Sequence, residues 1–236
     1  MNNVELEFIG GKSSYILEAK NAIDRTVCQE LISECVKYYD KIFNPGPTLG
    51  GLNPFIKSSM DFNFSGVQAR ELGVPFDNFY KYEKIIEEAL FGCLAFYQKT
   101  YNELWNWPGI CDTGFRLQHY VKNFGHYRQH SDGSPWGGPN AVSRVLAGIV
   151  YLNDVEVGGD TYFPYHDVSV AAKSGTIALF PTSWTHPHQG NPAISNDKWI
   201  ISTFYLCSTN SSYQTEETIE VKEEDLKLKN GKVEDE

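Results

Sequence analysis

His130, Ser131 and Asp132 place an imidazole and a carboxylate two residues apart, and His188 follows far downstream beside His186. Residues two apart on a strand point to one face, so His130 and Asp132 would stand side by side with Ser131 turned away. Two imidazoles and one carboxylate on one side of a metal leave the opposite positions open. That is the facial triad associated with non-heme Fe(II) oxygenases. A structural zinc site calls for four protein ligands, usually thiolates, and none of the five cysteines is suitably spaced. Spacing alone goes no further, because an H-x-D arises by accident in many chains with six histidines.

Such a triad needs strands to hold it, and the sequence supplies them in its second half. From Phe115 onward, short β-branched and aromatic runs alternate with turns. The expected strands are Phe115–Val121, Tyr127–Ser131, Arg144–Leu152, Thr161–Pro164, Asp167–Ala171, Thr176–Phe180, His186–Gln189 and Trp199–Cys207. No helix-length segment separates them, which favours a double-sheet jelly roll or a sandwich over a parallel α/β sheet.

The first third reads differently. After a strand-like stretch at Ser14–Ala19, Asp24 can cap a helix whose apolar face would be Val27, Leu31, Ile32, Cys35 and Val36. A Pro/Gly-rich loop at 44–54 is either a solvated connection or a cover over a site. A second helix is expected from about Phe79 to Trp105, with Tyr82, Ile85, Ile86, Ala89, Leu90 and Cys93 packed on the core. The fold class is therefore mainly β with N-terminal helices, α+β, around a double-stranded β-helix core. The expected division is a helical support at 1–110, a core at 111–208 and an acidic, flexible tail at 209–236.

Several ordered motifs then carry a resemblance. They are Tyr120; Tyr127-Arg-Gln-His130-Ser-Asp132; Arg144 with Tyr151-Leu-Asn-Asp154; Gly158-Gly-Asp-Thr-Tyr-Phe-Pro164; Gly175-Thr-Ile-Ala-Leu-Phe-Pro181; and His188-Gln-Gly190-Asn-Pro192 with Lys198-Trp199. Together they resemble the Fe(II)- and 2-oxoglutarate-dependent dioxygenases of the prolyl 4-hydroxylase type, densely over 115–207 and weakly at Cys28–Ile32. The resemblance implies His130, Asp132 and His188 as iron ligands and Lys198 as the cation that pairs with the far carboxylate of 2-oxoglutarate. An ammonium on a neighbouring strand can neutralise a carboxylate that would be costly to bury alone. Tyr120 and Thr161 match positions whose hydroxyls help to hold that carboxylate. Tyr127 and Arg144 match positions that face the substrate, although Arg144 could equally serve a rim salt bridge.

Other residues have plainer expectations. His186 would fill packing or support His188, His119 would face away from the site, and His126 and His166 would lie in loops or on the surface. Tyr151-Leu-Asn-Asp154 and Gly175–Pro181 read as scaffold, and Gly158-Gly159 as a turn needing positive φ. Trp136, in a Gly/Pro loop after Asp132, could close over substrate or pack on the rim. Collagen-type prolyl hydroxylases carry tryptophan six residues past the lysine, where this chain has Phe204.

The resemblance implies oxidative decarboxylation of 2-oxoglutarate by O2 at Fe(II), coupled to hydroxylation of an unactivated C–H, with ascorbate as a reductant. A prolyl residue in a peptide or protein is the favoured target. A free amino acid or other small molecule is the enzyme alternative, and a jelly-roll binding module without catalysis is the third. The net charge of −10 on 236 residues disfavours nucleic acid and anionic membrane as partners. Half of that charge lies in residues 211–236, which hold nine acids and four lysines. An odd set of five cysteines without C-x-x-C, no signal sequence and no apolar run of spanning length lead to the expectation of a cytoplasmic protein.

Overall fold

Asp24 starts the first long helix as its residue type dictates, its carboxylate accepting the Thr26 amide at 2.7 Å. The computed structural model describes residues 3–48, 50–102, 110–133 and 144–207. Helix α1 (Arg25–Lys37) buries Cys28, Leu31 and Cys35, a narrower stripe than expected, and Val36 points to solvent. Helix α4 (Asp77–Thr100) buries Phe79, Tyr82, Ile86, Leu90, Cys93, Leu94 and Tyr97, spaced three and four apart on one face. Ile85, expected on that face, is exposed, and Trp105 lies outside the described residues. Two short helices, α2 (Tyr39–Ile42) and α3 (Gly66–Glu71), complete the helical set among the described residues.

All eight expected strands form. They are β7 (Phe115–Tyr120), β8 (His126–His130), β9 (Arg144–Tyr151), β10 (Thr161–Phe163), β11 (Val168–Val170), β12 (Ile177–Pro181), β13 (His188–Gly190) and β14 (Lys198–Cys207). In the front of the chain, β2 (Leu17–Lys20) overlaps the strand-like stretch expected at Ser14–Ala19, and further strands appear that composition concealed: β1 (Glu5–Phe8), β3 (Asn44–Pro45), β4 (Lys57–Ser58) and β5 (Met60–Phe64), with β6 (Ile110–Asp112) following the helices. The major sheet runs β1-β2-β12-β9-β14-β7-β5-β3, with β6 also paired to β14, and the minor sheet runs β11-β10-β13-β8-β4. Strands from the first third thus extend both sheets, so the major sheet crosses the division expected at residue 110. Every strand pair is antiparallel, as a jelly roll requires.

The major sheet separates two cores because its side chains alternate. Leu117, Leu146, Val150, Leu179, Trp199 and Ile201 face α1 and α4. Tyr120, Ile149, Tyr151, Ala178, Phe180 and Ile200 face the minor sheet. Gly148 marks the closest approach of helix to sheet: a Cβ there would stand 3.3 Å from Leu90 Cδ2 and 3.1 Å from Thr203 Cγ2. The helices clamp one face of the sheet, and the cavity opens on the other.

Candidate metal centre and its cavity

The minor sheet brings His130 and His188 together although 57 residues separate them, because the two are register partners in β8 and β13. Each imidazole is wired in the same way. His130 Nδ1 lies 2.7 Å from the Arg128 carbonyl, and His188 Nδ1 lies 3.2 Å from the His186 carbonyl. A carbonyl only accepts, so each Nδ1 carries the proton and donates, leaving the Nε2 lone pair free. Both Nε2 atoms lie 3.4 Å from a carboxylate oxygen of Asp132, one from each oxygen. The three ligand atoms fall within 4.8 Å of one another.

Asp132 reaches this point by a route the sequence did not suggest. Strand β8 stops at His130, and the backbone then bends, pinned by the Gly133 amide donating to the Thr182 carbonyl at 2.8 Å. Strand alternation therefore does not govern Ser131, which lines the cavity instead of turning away from it. Burial works against ionisation of Asp132, but His188, His130 and Arg144 outweigh it and hold the carboxyl below its usual range. Burial pushes His188 down to about 4, so at neutral pH its ring is neutral and able to ligate a metal.

The remaining histidines have other partners. His186 is buried, bonds the Ser14 carbonyl through Nε2 at 2.8 Å and meets Thr185 through Nδ1, which supports the strand entering His188. His119 faces the helices, bridging the Tyr39 hydroxyl and Asp197 and stacking on Trp199. His126 lies on β8 itself, not in a loop. His166 lies in a turn, as expected, and stacks on His186 at 4.5 Å with its Nε2 buried and without a hydrogen-bond partner among the described residues.

A cavity of about 640 Å³ opens between the sheets, with His130, Asp132 and His188 in its wall and Lys198 in the same wall. Lys198 is 3% exposed, and its ammonium donates to the Gly159 carbonyl at 2.7 Å while lying 5.2 Å from the centre of the Tyr120 ring. Burial lowers its proton affinity to about 8, with Asp160 pulling the other way. Gly158 and Gly159 have positive φ, the conformation expected of them, and present that carbonyl. A buried ammonium with one neutral acceptor has room and reason to take a carboxylate. Thr161 also lines the cavity, and its Oγ1 accepts from the Tyr151 hydroxyl at 2.7 Å.

The comparisons agree with this geometry. The family model described as the 2OG-Fe(II) oxygenase superfamily matches residues 115–206, which include all three clustered ligands and Lys198. That stretch of the chain matches the superfamily's pattern. A protein of Acanthamoeba polyphaga mimivirus with the provisional name prolyl 4-hydroxylase is 24% identical over 203 residues, 78% of this chain and 71% of the relative. The Trichoplax adhaerens prolyl hydroxylase, solved with a peptide fragment of the hypoxia inducible factor oxygen degradation domain, superposes with a TM-score of 0.63 at 17% identity, covering 83% of this chain and 85% of that one. The viral collagen prolyl hydroxylase of Paramecium bursaria Chlorella virus-1, solved with 2OG, gives 0.59 at 16% identity, covering 84% and 98%. These structures share the jelly-roll fold. The protein is thus a 2-oxoglutarate-dependent dioxygenase of the prolyl 4-hydroxylase-like type, and the family implies Fe(II), 2-oxoglutarate and O2.

The donor set of this oxygenase fits such a metal: two imidazoles and a carboxylate on one side, with no thiolate among the clustered groups. Beside this set, Tyr127 stacks on His130 with ring centres 3.6 Å apart. Residues three apart on a regular strand would face opposite ways. Strand β8 takes three steps, Tyr127 to His130, where β13 takes two, Gly190 to His188, and this bulge in β8 lets both rings lie on the same side. Lys57 lies opposite Tyr127 in β4, its ammonium 2.7 Å from Asp61. The guanidinium of Arg144 lies 3.8 Å from the Phe204 ring centre.

Sequence reasoning missed Lys57 and Asp61, which lie in the helix-and-loop front of the chain, and Arg116, which lies in an expected strand but matches none of the motifs. The expected loop at 44–54 borders the oxygenase cavity through Pro47, Thr48 and Gly50. Tyr151, taken as scaffold, is fully buried but holds the Thr161 hydroxyl from behind. Trp136 lies outside the described residues.

Proposed function

We propose that this oxygenase hydroxylates a prolyl residue in a peptide or protein, with His130, Asp132 and His188 holding Fe(II). Lys198 takes the distal carboxylate of 2-oxoglutarate, with Tyr120 and Thr161 beside it. Tyr127 and Arg144 face the substrate. One observation carries this reading: two imidazoles and one ionised carboxylate converge in a cavity that also holds the buried, acceptor-poor ammonium of Lys198. The prolyl target is supported by the names of the relatives, including a hydroxylase solved with a peptide.

When bound there, Fe(II) supplies the activation of O2 that couples decarboxylation of 2-oxoglutarate to C–H hydroxylation. The protein's part is orientation and exclusion of water. The Arg128 and His186 carbonyls fix both ligand tautomers and ring angles, and Asp132 stays ionised at neutral pH. Tyr151 donates its hydroxyl hydrogen to Thr161, which leaves the Thr161 hydroxyl hydrogen free to donate to a carboxylate oxygen. Ile149, Ile200 and Phe204 give the cavity an apolar wall that keeps water from the reacting carbon.

The test incubates the full chain with Fe(II), 2-oxoglutarate and ascorbate against proline-containing peptides and free amino acids. The expected result is succinate release matched by a product one oxygen atom heavier, on proline, in a peptide. Product only on a free amino acid would move the assignment to the small-molecule reading. No Fe(II)-dependent turnover of any substrate would sink it.

A further inference from the structure

Strand β14 lies between β7 and β9, and its inward residues run from Lys198 through Ile200 and Ser202 to Phe204. Ser202 pairs with Arg116 in β7, and Phe204 carries the guanidinium of Arg144 from β9. Lys198 to Ser202 spans four residues, roughly 13 Å at strand rise. The cavity thus has a cation at its inner end and two more arginines farther out along the same strand.

Among the described residues, neither outer arginine holds a carboxylate closer than 4.0 Å. Arg116 Nη1 comes no closer than 4.0 Å to Asp61, whose carboxylate already holds Lys57 at 2.7 Å and Gln118 at 3.3 Å. Among the described residues, Arg144 makes one long bond, 3.4 Å, to the Asp132 carbonyl, and its buried Nε has no hydrogen-bond partner. A buried guanidinium N–H without an acceptor is unfavourable by itself. Arg144 also has its proton affinity lowered, by burial first and by the neighbouring charge of Arg116 as well, with Asp132 opposing. The undescribed segment after Asp132, residues 134–143, contains no Asp or Glu. In a chain of net charge −10, two arginines crowd a cavity whose nearest carboxylates are already engaged.

We infer that Arg116 and Arg144 form an anion clamp at the outer part of the cavity, and that the substrate of this oxygenase carries a carboxylate beside the carbon that is oxidised. This rests on the hydroxylase reading above and narrows it. The carboxylate comes either from an acidic side chain flanking the target residue in a peptide or from the α-carboxylate of a free amino acid. Two converging guanidinium groups suit a carboxylate, which accepts from several N–H donors at once. Phe204 holds Arg144 by its ring face, a weaker grip than an ion pair, so the guanidinium keeps its donors for the ligand.

The test reads binding and turnover separately. Fluorescent proline-containing peptides with glutamate or with glutamine beside the proline are titrated onto the full chain by anisotropy, and free L-proline and prolinamide compete against them. Turnover of each is measured with Fe(II) and 2-oxoglutarate. The expected result is at least about tenfold preference for the carboxylate form, the size of one charge-assisted hydrogen bond. Arg116→Gln should remove that preference while the KM for 2-oxoglutarate stays put. Arg116→Glu should favour a peptide with lysine at the same position, a reversal that mere structural damage would not produce. Preference among the peptides identifies an acidic side chain, and preference for L-proline over prolinamide alone identifies the α-carboxylate. Equal binding of charged and neutral forms, or equal losses on both with Arg116→Gln, would overturn the clamp. Acid-selective binding without any 2-oxoglutarate turnover would keep the clamp and remove the hydroxylase reading instead.

Discussion

His130 and His188 face each other across the β8–β13 ladder with ring centres 4.4 Å apart, and both turn Nε2 toward the carboxylate of Asp132. Two imidazole lone pairs and an anion aimed at one point repel unless a cation or a proton sits between them. The hydrogen bonds from each Nδ1 to a backbone carbonyl remove the easy escape, which is rotation of the rings.

Removal of the carboxylate tests that convergence. Asp132→Ala is expected to lower Fe(II)-dependent product formation by more than about a hundredfold, beyond the usual effect of losing an outer-shell partner. Coupled product and succinate are measured together. Undiminished coupled product in this variant would show that Asp132 is not a ligand.

If Lys198 takes 2-oxoglutarate as proposed, the affinity for that co-substrate should depend on pH. Burial lowers its pKa to about 8, so the free protein carries the ammonium below that value and loses it as pH rises through it. The KM for 2-oxoglutarate should therefore climb above pH 8. Lys198→Arg, whose guanidinium stays protonated, should flatten that climb, and Lys198→Met should raise the KM at every pH by about a hundredfold. Steady-state assays from pH 6.5 to 9.5, about the interval around that pKa, decide it.

Gly175 gives a stability test away from the cavity. Its φ is +80°, and a Cβ there would stand 2.1 Å from the Ile23 carbonyl oxygen, a backbone atom that cannot swing aside. Gly175→Ala should destabilise the fold by more than about 2 kcal/mol, left-handed strain and the clash acting together. The urea midpoint measures it, and an unchanged midpoint would contradict the turn geometry.

Asp154 ties α1 to the sheet, accepting from Arg25 at 2.7 Å and from the Ser174 amide at 2.8 Å. Burial opposes its ionisation, but those two bonds prevail and lower its pKa below the ordinary 3.8. A depressed carboxylate contributes fully above its unfolded pKa and is lost as pH falls through the folded one. Asp154→Asn should therefore lower the Tm at pH 7 and narrow the gap to wild type as the pH drops below about 4. A gap that does not vary with pH would refute the linkage.

What the sequence determined by itself was local. Alternating and β-branched runs set all eight strands of the second half, Asp24 set its helix start, and Gly158-Gly159 set a positive-φ turn. The ordered motifs single out His130, Asp132, His188 and Lys198, and the fold brings all four to one cavity. The first third was read mainly as helix and loop, since β3 and β4 are two-residue strands too short for a pattern and the longer β5 follows a Pro/Gly-rich stretch. Their pairing comes only from strands far along the chain.

Tertiary structure decided the rest, because it fixes which distant residues share a face. Register, not spacing, set His188 against His130, and a bend pinned by Gly133, not strand alternation, swung Asp132 between them. Packing of the first third onto the second brought Lys57 and Asp61 to the cavity beside Arg116. Charges that are unremarkable in a list of residues become a site only when the fold removes water and partners from around them.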